Sequence, residues 1–225
     1  MSEEVPACLV ISAPSGAGKT TLAEGLLGCV DRLTRVITCT TRPPRPGERE
    51  GQDYFFVQPE EFDRRCAAAE FVEWAQVHGN RYGTPASEIE RIHAMGHDAV
   101  LVIDVQGADA VRTARSDAVT VFVLPPSRQA LAGRLSARDA KDEVARDAID
   151  QRLSAARREI AQYVGYDYVV VNDDLETAVA ELAAIVRAER CRGVRRAAVA
   201  ERILTSFDDD DEEPAPARIN ASEGK

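Results

Sequence analysis

The sequence predicts an α/β fold in which a parallel sheet is flanked by helices and a small mixed α/β lobe is inserted. Three observations carry that expectation. The apolar run Ala7-Cys8-Leu9-Val10-Ile11 leads into Ser12-Ala13-Pro14-Ser15-Gly16-Ala17-Gly18-Lys19-Thr20-Thr21 and then into a helical pattern from Leu22, which is the strand, glycine-rich loop, helix order of a P-loop NTPase core. The run Ala99-Val100-Leu101-Val102-Ile103 is wholly apolar and ends on Asp104, as a central parallel strand does where its carboxyl end meets a ligand. Short β-like pieces crowd between residues 53 and 85, which puts the extra lobe there.

The loop accounts for its own residue types. Gly16 and Gly18 allow backbone turns closed to residues with a Cβ, so that successive N–H groups point into one concavity and bind phosphate oxygens. The following helix adds the positive end of its dipole. Lys19 supplies a point charge for β- and γ-phosphates, and the Thr20 hydroxyl is suited to ligate Mg²⁺. Ala13, Pro14, Ser15, Gly16, Ala17, Gly18, Lys19 and Thr20 are therefore the candidate phosphate site. The pattern G-x-x-x-x-G-K-[ST] departs from its usual form at one place, where Ala13 stands for the first glycine.

Composition sets the outer limits. With 225 residues and 44% hydrophobic content the chain can bury the core of a single α/β domain. Its formal charge is −10, but six acids lie in one run at 208–213, and outside it 28 basic residues face 32 acidic ones. A body so balanced has no electrostatic footprint for nucleic acid. Five cysteines, scattered and never in C-x-x-C spacing, suggest reduced thiols rather than disulfides or zinc. The first residues lack the features of a signal peptide and no apolar run approaches membrane-spanning length, so a cytoplasmic protein is expected.

In chain order, Thr34-Arg35-Val36-Ile37-Thr38-Cys39-Thr40-Thr41 reads as one strand, followed by an extended loop fixed by the prolines of Arg42-Pro43-Pro44-Arg45-Pro46-Gly47. Paired guanidiniums on a stiff loop could clamp an anion or simply face solvent. A strand over 53–57, a short helix over 59–66 with Pro59 in its first turn, and β pieces at 71–77 and 80–85 come next. A helix over 87–92 is capped by Ser87, and His93 and His97, with no third ligand nearby, read as surface histidines. Asp104 can cap the helix that follows, over 107–115, or face a ligand, or do both. A strand over 118–124, a helix over 127–137, a charged break at 138–143, a long helix over 144–164, a strand over 168–171 and a helix over 175–192 complete the core. Arginines recur from Arg190 to Arg202, and from 208 onward almost nothing can be buried, so an acidic disordered tail is expected.

Several of these stretches together resemble the guanylate kinases, in that family's order and spacing. They are the loop 12–21, Thr40-Thr41-Arg42-Pro43-Pro44-Arg45-Pro46-Gly47-Glu48, Asp53-Tyr54-Phe55-Phe56, Glu73-Trp74-Ala75, Asn80-Arg81-Tyr82-Gly83-Thr84, Ile103-Asp104-Val105-Gln106-Gly107-Ala108, Leu124-Pro125-Pro126-Ser127 and Val171-Asn172-Asp173-Asp174. The resemblance implies ATP-dependent phosphorylation of GMP, with Mg²⁺, and a guanylate kinase-like domain over 5–207: a core (5–34, 99–126, 165–207), a GMP-binding lobe (35–98) and a mobile helical lid (127–164), ahead of the tail 208–225. It also implies that Arg42, Arg45, Tyr54 and Tyr82 hold the GMP phosphate, that Thr38, Glu73, Thr84 and Asp104 read or orient the guanine with Gly83 also at the substrate, that Asn172 and Asp173 lie near the adenine or ribose of ATP, and that Arg138, Arg152 and, less firmly, Arg134 point at the phosphates. Lys19, Arg42, Arg138 and Arg152 are then the expected catalytic residues. A carboxylate such as Glu73 suits guanine, whose N1–H and N2–H₂ both donate, whereas adenine would leave it unpaired. Two departures from the family's pattern stand out, Val102 where relatives carry an acid and Asp139 where they carry glycine. Partners beyond ATP and GMP are not indicated, and the oligomeric state is left open.

Overall fold

The computed structural model describes residues 4–77, 79–138 and 145–210, without the side chains of 138, 145–148 and 208–210. Two sheets organise it. The first is five-stranded and parallel throughout, in the order β2 (Leu33–Arg35), β7 (Asp98–Ile103), β1 (Cys8–Ser12), β8 (Val119–Leu124), β9 (Tyr168–Val171). The second is mixed and four-stranded, in the order β4 (Phe55–Phe56), β3 (Cys39–Thr40), β6 (Asn80–Pro85), β5 (Phe71–Val77).

β1 lies at the centre of the first sheet and its alternation builds both cores. Leu9 and Ile11 point into a cluster with Leu22 and Leu26 of α1 (Lys19–Cys29) and Leu182 and Val186 of α7 (Leu175–Arg190). Cys8 and Val10 point the other way, to Ile89 and Ile92 of α3 (Ala86–Ala94) and Val111 of α4 (Val105–Ala114). Each such aliphatic side chain, fully buried, contributes about 1.5–3 kcal/mol. A third cluster, Leu131, Leu135, Leu153 and Ala156, joins α5 (Arg128–Arg138) to α6 (Ala145–Ile160). The parallel sheet with helices on both faces is the predicted architecture, and the second sheet is drawn from segments between Cys39 and Pro85.

Where the structure departs from the sequence reading, the reasons are local. Residues 34–41 do not form one strand. Val36 N–H makes a last bond to Val100 O of the central sheet (2.9 Å), while Thr38 O already accepts from Phe55 N–H (3.0 Å), so the chain changes sheets between them. The strand expected at 53–57 shrinks to two residues because Gly51, at φ 69°, turns the chain just before it. α3 starts at Ala86 from Pro85, and Ser87 makes no capping bond. That helix packs on the central sheet although it falls within the stretch 35–98 expected as the lobe. Asp104 does cap α4, which begins two residues earlier than expected, through Gly107 N–H at 2.8 Å. α6 stops at Ile160 and a 3₁₀ turn, Ala161–Gly165, replaces its last residues. α8 (Ala197–Asp210) carries the helical backbone three residues into the acidic run expected to be disordered. Most of the charged break at 138–143, with Asp139, and the rest of the tail lie outside the described residues. The two histidines are half-buried ties: His93 Nε2 meets Ala7 O at 3.2 Å and His97 Nδ1 meets Thr34 Oγ1 at 2.9 Å.

One buried pair fixes the amino-terminal edge of the fold. Asp98, 5% exposed, accepts from Ala7 N–H and from Arg190 Nε, each at 2.6 Å, so it joins the start of β1 to the end of α7. Asp98→Ala should destabilise the protein by about 3 kcal/mol, because a buried donor and a guanidinium lose their acceptor together. A thermal melt should show a Tm lower by roughly 6–12 °C, and a shift under about 2 °C would contradict this role.

Candidate active site

The carboxyl ends of β1 and β7 open onto a cleft of about 1010 Å³, at the position where parallel α/β sheets bind ligands. The glycine-containing loop 13–20 forms one end of it. Gly16 and Gly18 adopt φ of 87° and 94°, and a Cβ on Gly16 would come within 2.7 Å of Leu135 Cδ2, so these positions need glycine for turn and packing alike. The loop is also held from behind. Asn172 Nδ2 donates to Ala17 O at 2.8 Å, and Arg134 donates to Ala17 O (3.2 Å) and to Asn172 O (2.8 Å). Asn172 borders the cleft but is 6% exposed, and its amide is engaged with the loop rather than turned outward toward a base or ribose.

Lys19 begins α1 directly after Gly18, and its Nζ donates to Ile103 O at 2.6 Å. Burial pulls the ammonium down to about 8, against the opposing pull of the Asp104 and Glu159 carboxylates. Thr20, in the first turn, is exposed to the cleft. From α6, Arg152 Nη2 reaches Ser15 Oγ at 3.0 Å, and half-buried Glu159 borders the cleft, its carboxyl raised by burial. Arg138 ends α5, and its side chain lies outside the described residues.

The other end of the cleft is built by the second sheet. The β5–β6 register sets Glu73 opposite Thr84, and Thr84 Oγ1 donates to Glu73 Oε1 at 2.5 Å. Glu73 is 5% exposed. Burial pushes its carboxyl up to about 7, the Thr84 hydrogen bond works against this, and the Asp104 charge adds to it. Thr38 and Asp104 border the same space. α4 comes close here, since a Cβ on Gly107 would stand 2.9 Å from Glu73 Oε2. Gly83 serves packing, for a Cβ there would press on the Phe71 ring at 3.0 Å.

Tyr54 and Tyr82 meet edge to face with centroids 6.0 Å apart, and both border the cleft with Arg45. Arg42 does not border it. Its guanidinium lies 5.4 Å from the Tyr54 ring centroid, is bound by Glu48 at 2.9 Å and donates to Pro43 O at 2.7 Å; Glu48 is held below the usual carboxylate range by that arginine. Glu48 also accepts from Arg45 N–H at 2.7 Å, which fixes the proline-stiffened loop. The two arginines thus share one loop but stand in different surroundings.

Two charged residues in the cleft escaped the sequence reading. Arg35 sits at the carboxyl end of β2, where a basic residue ending a parallel strand was the available signal. Glu159 gave none, because it reads as one more acid on a charged helix.

The family model described as guanylate kinase matches residues 6–189. The guanylate kinase of Symbiobacterium thermophilum is 48% identical over 197 residues, 87% of this chain and 92% of that one. That of Nitrosomonas europaea is 47% identical over 201 residues, covering 89% and 98%. Among solved structures, the crystal structure of guanylate kinase from Anaplasma phagocytophilum superposes with a TM-score of 0.74 at 35% identity, over 92% of this chain and 98% of that one.

Proposed function

The chain belongs to the guanylate kinase family, and from that premise we propose how its cleft moves the γ-phosphoryl group of ATP to GMP, giving ADP and GDP. The observation that carries the proposal is that one cleft runs from an amide-lined glycine loop to a buried carboxylate. The loop 13–20 takes the ATP phosphates, with Lys19 leaving Ile103 O to neutralise the β- and γ-oxygens. Thr20 and Asp104 offer a hydroxyl and a carboxylate, hard oxygen donors that fit Mg²⁺ when phosphates and water complete its shell. Mg²⁺ would supply charge neutralisation on the triphosphate.

At the far end Glu73 accepts from guanine N1–H and N2–H₂, while Thr38 or Thr84 answers O6. Adenine would meet the same carboxylate with a lone pair, a penalty of about 1–3 kcal/mol or more. Tyr54, Tyr82 and Arg45 receive the GMP phosphate, and Arg42 joins them by exchanging Glu48 for phosphate, a better bidentate partner. The acceptor is a phosphate oxygen, largely ionised at neutral pH, so positioning and charge stabilisation suffice and no general base is called for. The lobe around the second sheet and the helices α5 and α6, with Arg138 and Arg152, close over the nucleotides and exclude water as a competing acceptor. Among the described residues no helix is long and apolar enough to cross a membrane.

The raised carboxyl of Glu73 makes the base end sensitive to pH. Below about 7 it is a neutral acid that turns an O–H toward guanine's donors; above, it is the acceptor that guanine requires. The kcat/KM for GMP should therefore rise through a step near pH 7, besides the step near pH 6 from ionisation of GMP itself. In Glu73→Gln only the lower step should survive. A wild-type profile with no step near 7 would contradict the assignment.

A further inference from the structure

We propose that Asn172 is a positioning residue for the donor's phosphates: by holding Ala17 O it fixes the peptide plane that aims Gly18 N–H at the triphosphate. The proposal rests on the reading of residues 13–20 as the donor's phosphate site. Asn172 directly follows β9, and its own N–H donates to Leu124 O at 2.8 Å, so its backbone is held by the central sheet. Its side chain is held by the loop, where Nδ2 donates to Ala17 O at 2.8 Å.

A trans peptide points its C=O and the following N–H in opposite directions, so an anchored Ala17 O turns Gly18 N–H away from Asn172. Gly18 borders the cleft, and its N–H has no acceptor among the described residues. Such a donor is free for a ligand. Rotated the other way, the same peptide would present phosphate with a carbonyl lone pair and repel it. Gly18, at φ 94°, offers little steric resistance to that rotation, so its orientation must be set from outside the loop.

Arg134 completes the restraint. From α5 its Nη1 donates to Ala17 O at 3.2 Å and its Nη2 to Asn172 O at 2.8 Å, so one guanidinium ties the loop's carbonyl to the backbone of the residue that holds it. The packing is close: a Cβ on Gly18 would collide with Asn172 Nδ2, and glycine makes room here for the amide as well as for the turn. Because the Asn172 amide is 6% exposed and spent on Ala17 O, its effect on ATP should run through the phosphates rather than the adenine or ribose.

The test is calorimetric titration of the purified full chain with ATP, with GMP and with inorganic tripolyphosphate, which has neither base nor sugar. Asn172→Ala should raise the Kd for ATP and for tripolyphosphate by about five- to twentyfold, with the Kd for GMP within about twofold of wild type. Asn172→Leu, which keeps the volume but not the donor, should do the same. In steady state the KM for ATP should rise in both variants while the KM for GMP stays within about twofold. Weaker ATP binding with unchanged tripolyphosphate binding would place Asn172 at the base or ribose and overturn the proposal. Binding restored in Asn172→Leu would make the contact one of packing, and a lower Tm with every Kd unchanged would make it one of stability; either result overturns it too. Lys19→Ala separates this reading from the one beneath it. If that variant binds tripolyphosphate as wild type does, the phosphate-site assignment itself fails; if it loses binding while the Asn172 variants keep theirs, only the positioning role is wrong.

Discussion

Replacing Lys19 by alanine should lower turnover of GMP with ATP by about a thousandfold or more, because charge developing on the transferred group loses the cation positioned for it. The fold should not suffer. Lys19 makes one side-chain hydrogen bond, to Ile103 O, and burial pulls its ammonium below the ordinary lysine value to about 8. The sign follows from linkage: a lysine whose folded value is depressed binds fewer protons folded than unfolded, so below about 8 its charge counts against the folded state. Alanine removes that cost, and the Tm at neutral pH should hold or rise slightly. Turnover within tenfold of wild type in a folded Lys19→Ala protein would remove the loop from the donor site.

Glu73→Gln should lower kcat/KM for GMP by about a hundredfold or more, while the Kd for ATP changes less than about twofold. The amide keeps the volume and an acceptor for the Thr84 hydroxyl, which donates to Glu73 Oε1 at 2.5 Å. The loss is therefore specific to the base, because the amide must turn N–H₂ toward a ring edge that itself donates. The amide can also answer adenine, donating to N1 and accepting from N6, so the preference for GMP over AMP should narrow. Equal loss for GMP and ATP would show that Glu73 supports the fold of the cleft rather than reading guanine.

The loop and the central sheet were legible because their signals are local. Gly16, Gly18, Lys19 and Thr20 occupy adjacent positions, and the apolar runs of β1, β7 and β8 are those of strands buried on both faces. Glu73 and Thr84 were singled out through the resemblance to the family; their pairing across β5 and β6 needed the register. What escaped depends on contacts far apart in sequence. Residues 34–41 alternate well enough for one strand, and only the competing partners Val100 and Phe55 divide it between two sheets. Asn172 carries a polar side chain after a strand, but its bond to Ala17 O spans 155 residues. Arg42 and Arg45 look equivalent on their loop until Glu48 and the Tyr54 ring take up one of them. Glu159 differs from neighbouring acids on its helix in bordering the cleft.

The central claim is that a single cleft holds ATP by backbone amides and a lysine at one end and GMP by a buried carboxylate at the other, so that the phosphoryl group passes directly between them. The most direct measurement is release of ADP, coupled to a reporter reaction, with Mg²⁺, ATP and GMP, dGMP, AMP, UMP or a sugar bisphosphate as acceptor. The account predicts rapid release with GMP and at best slow release with AMP, UMP and the sugar bisphosphate. Folded protein that leaves GMP unconverted, or that releases ADP equally with every acceptor, would contradict it.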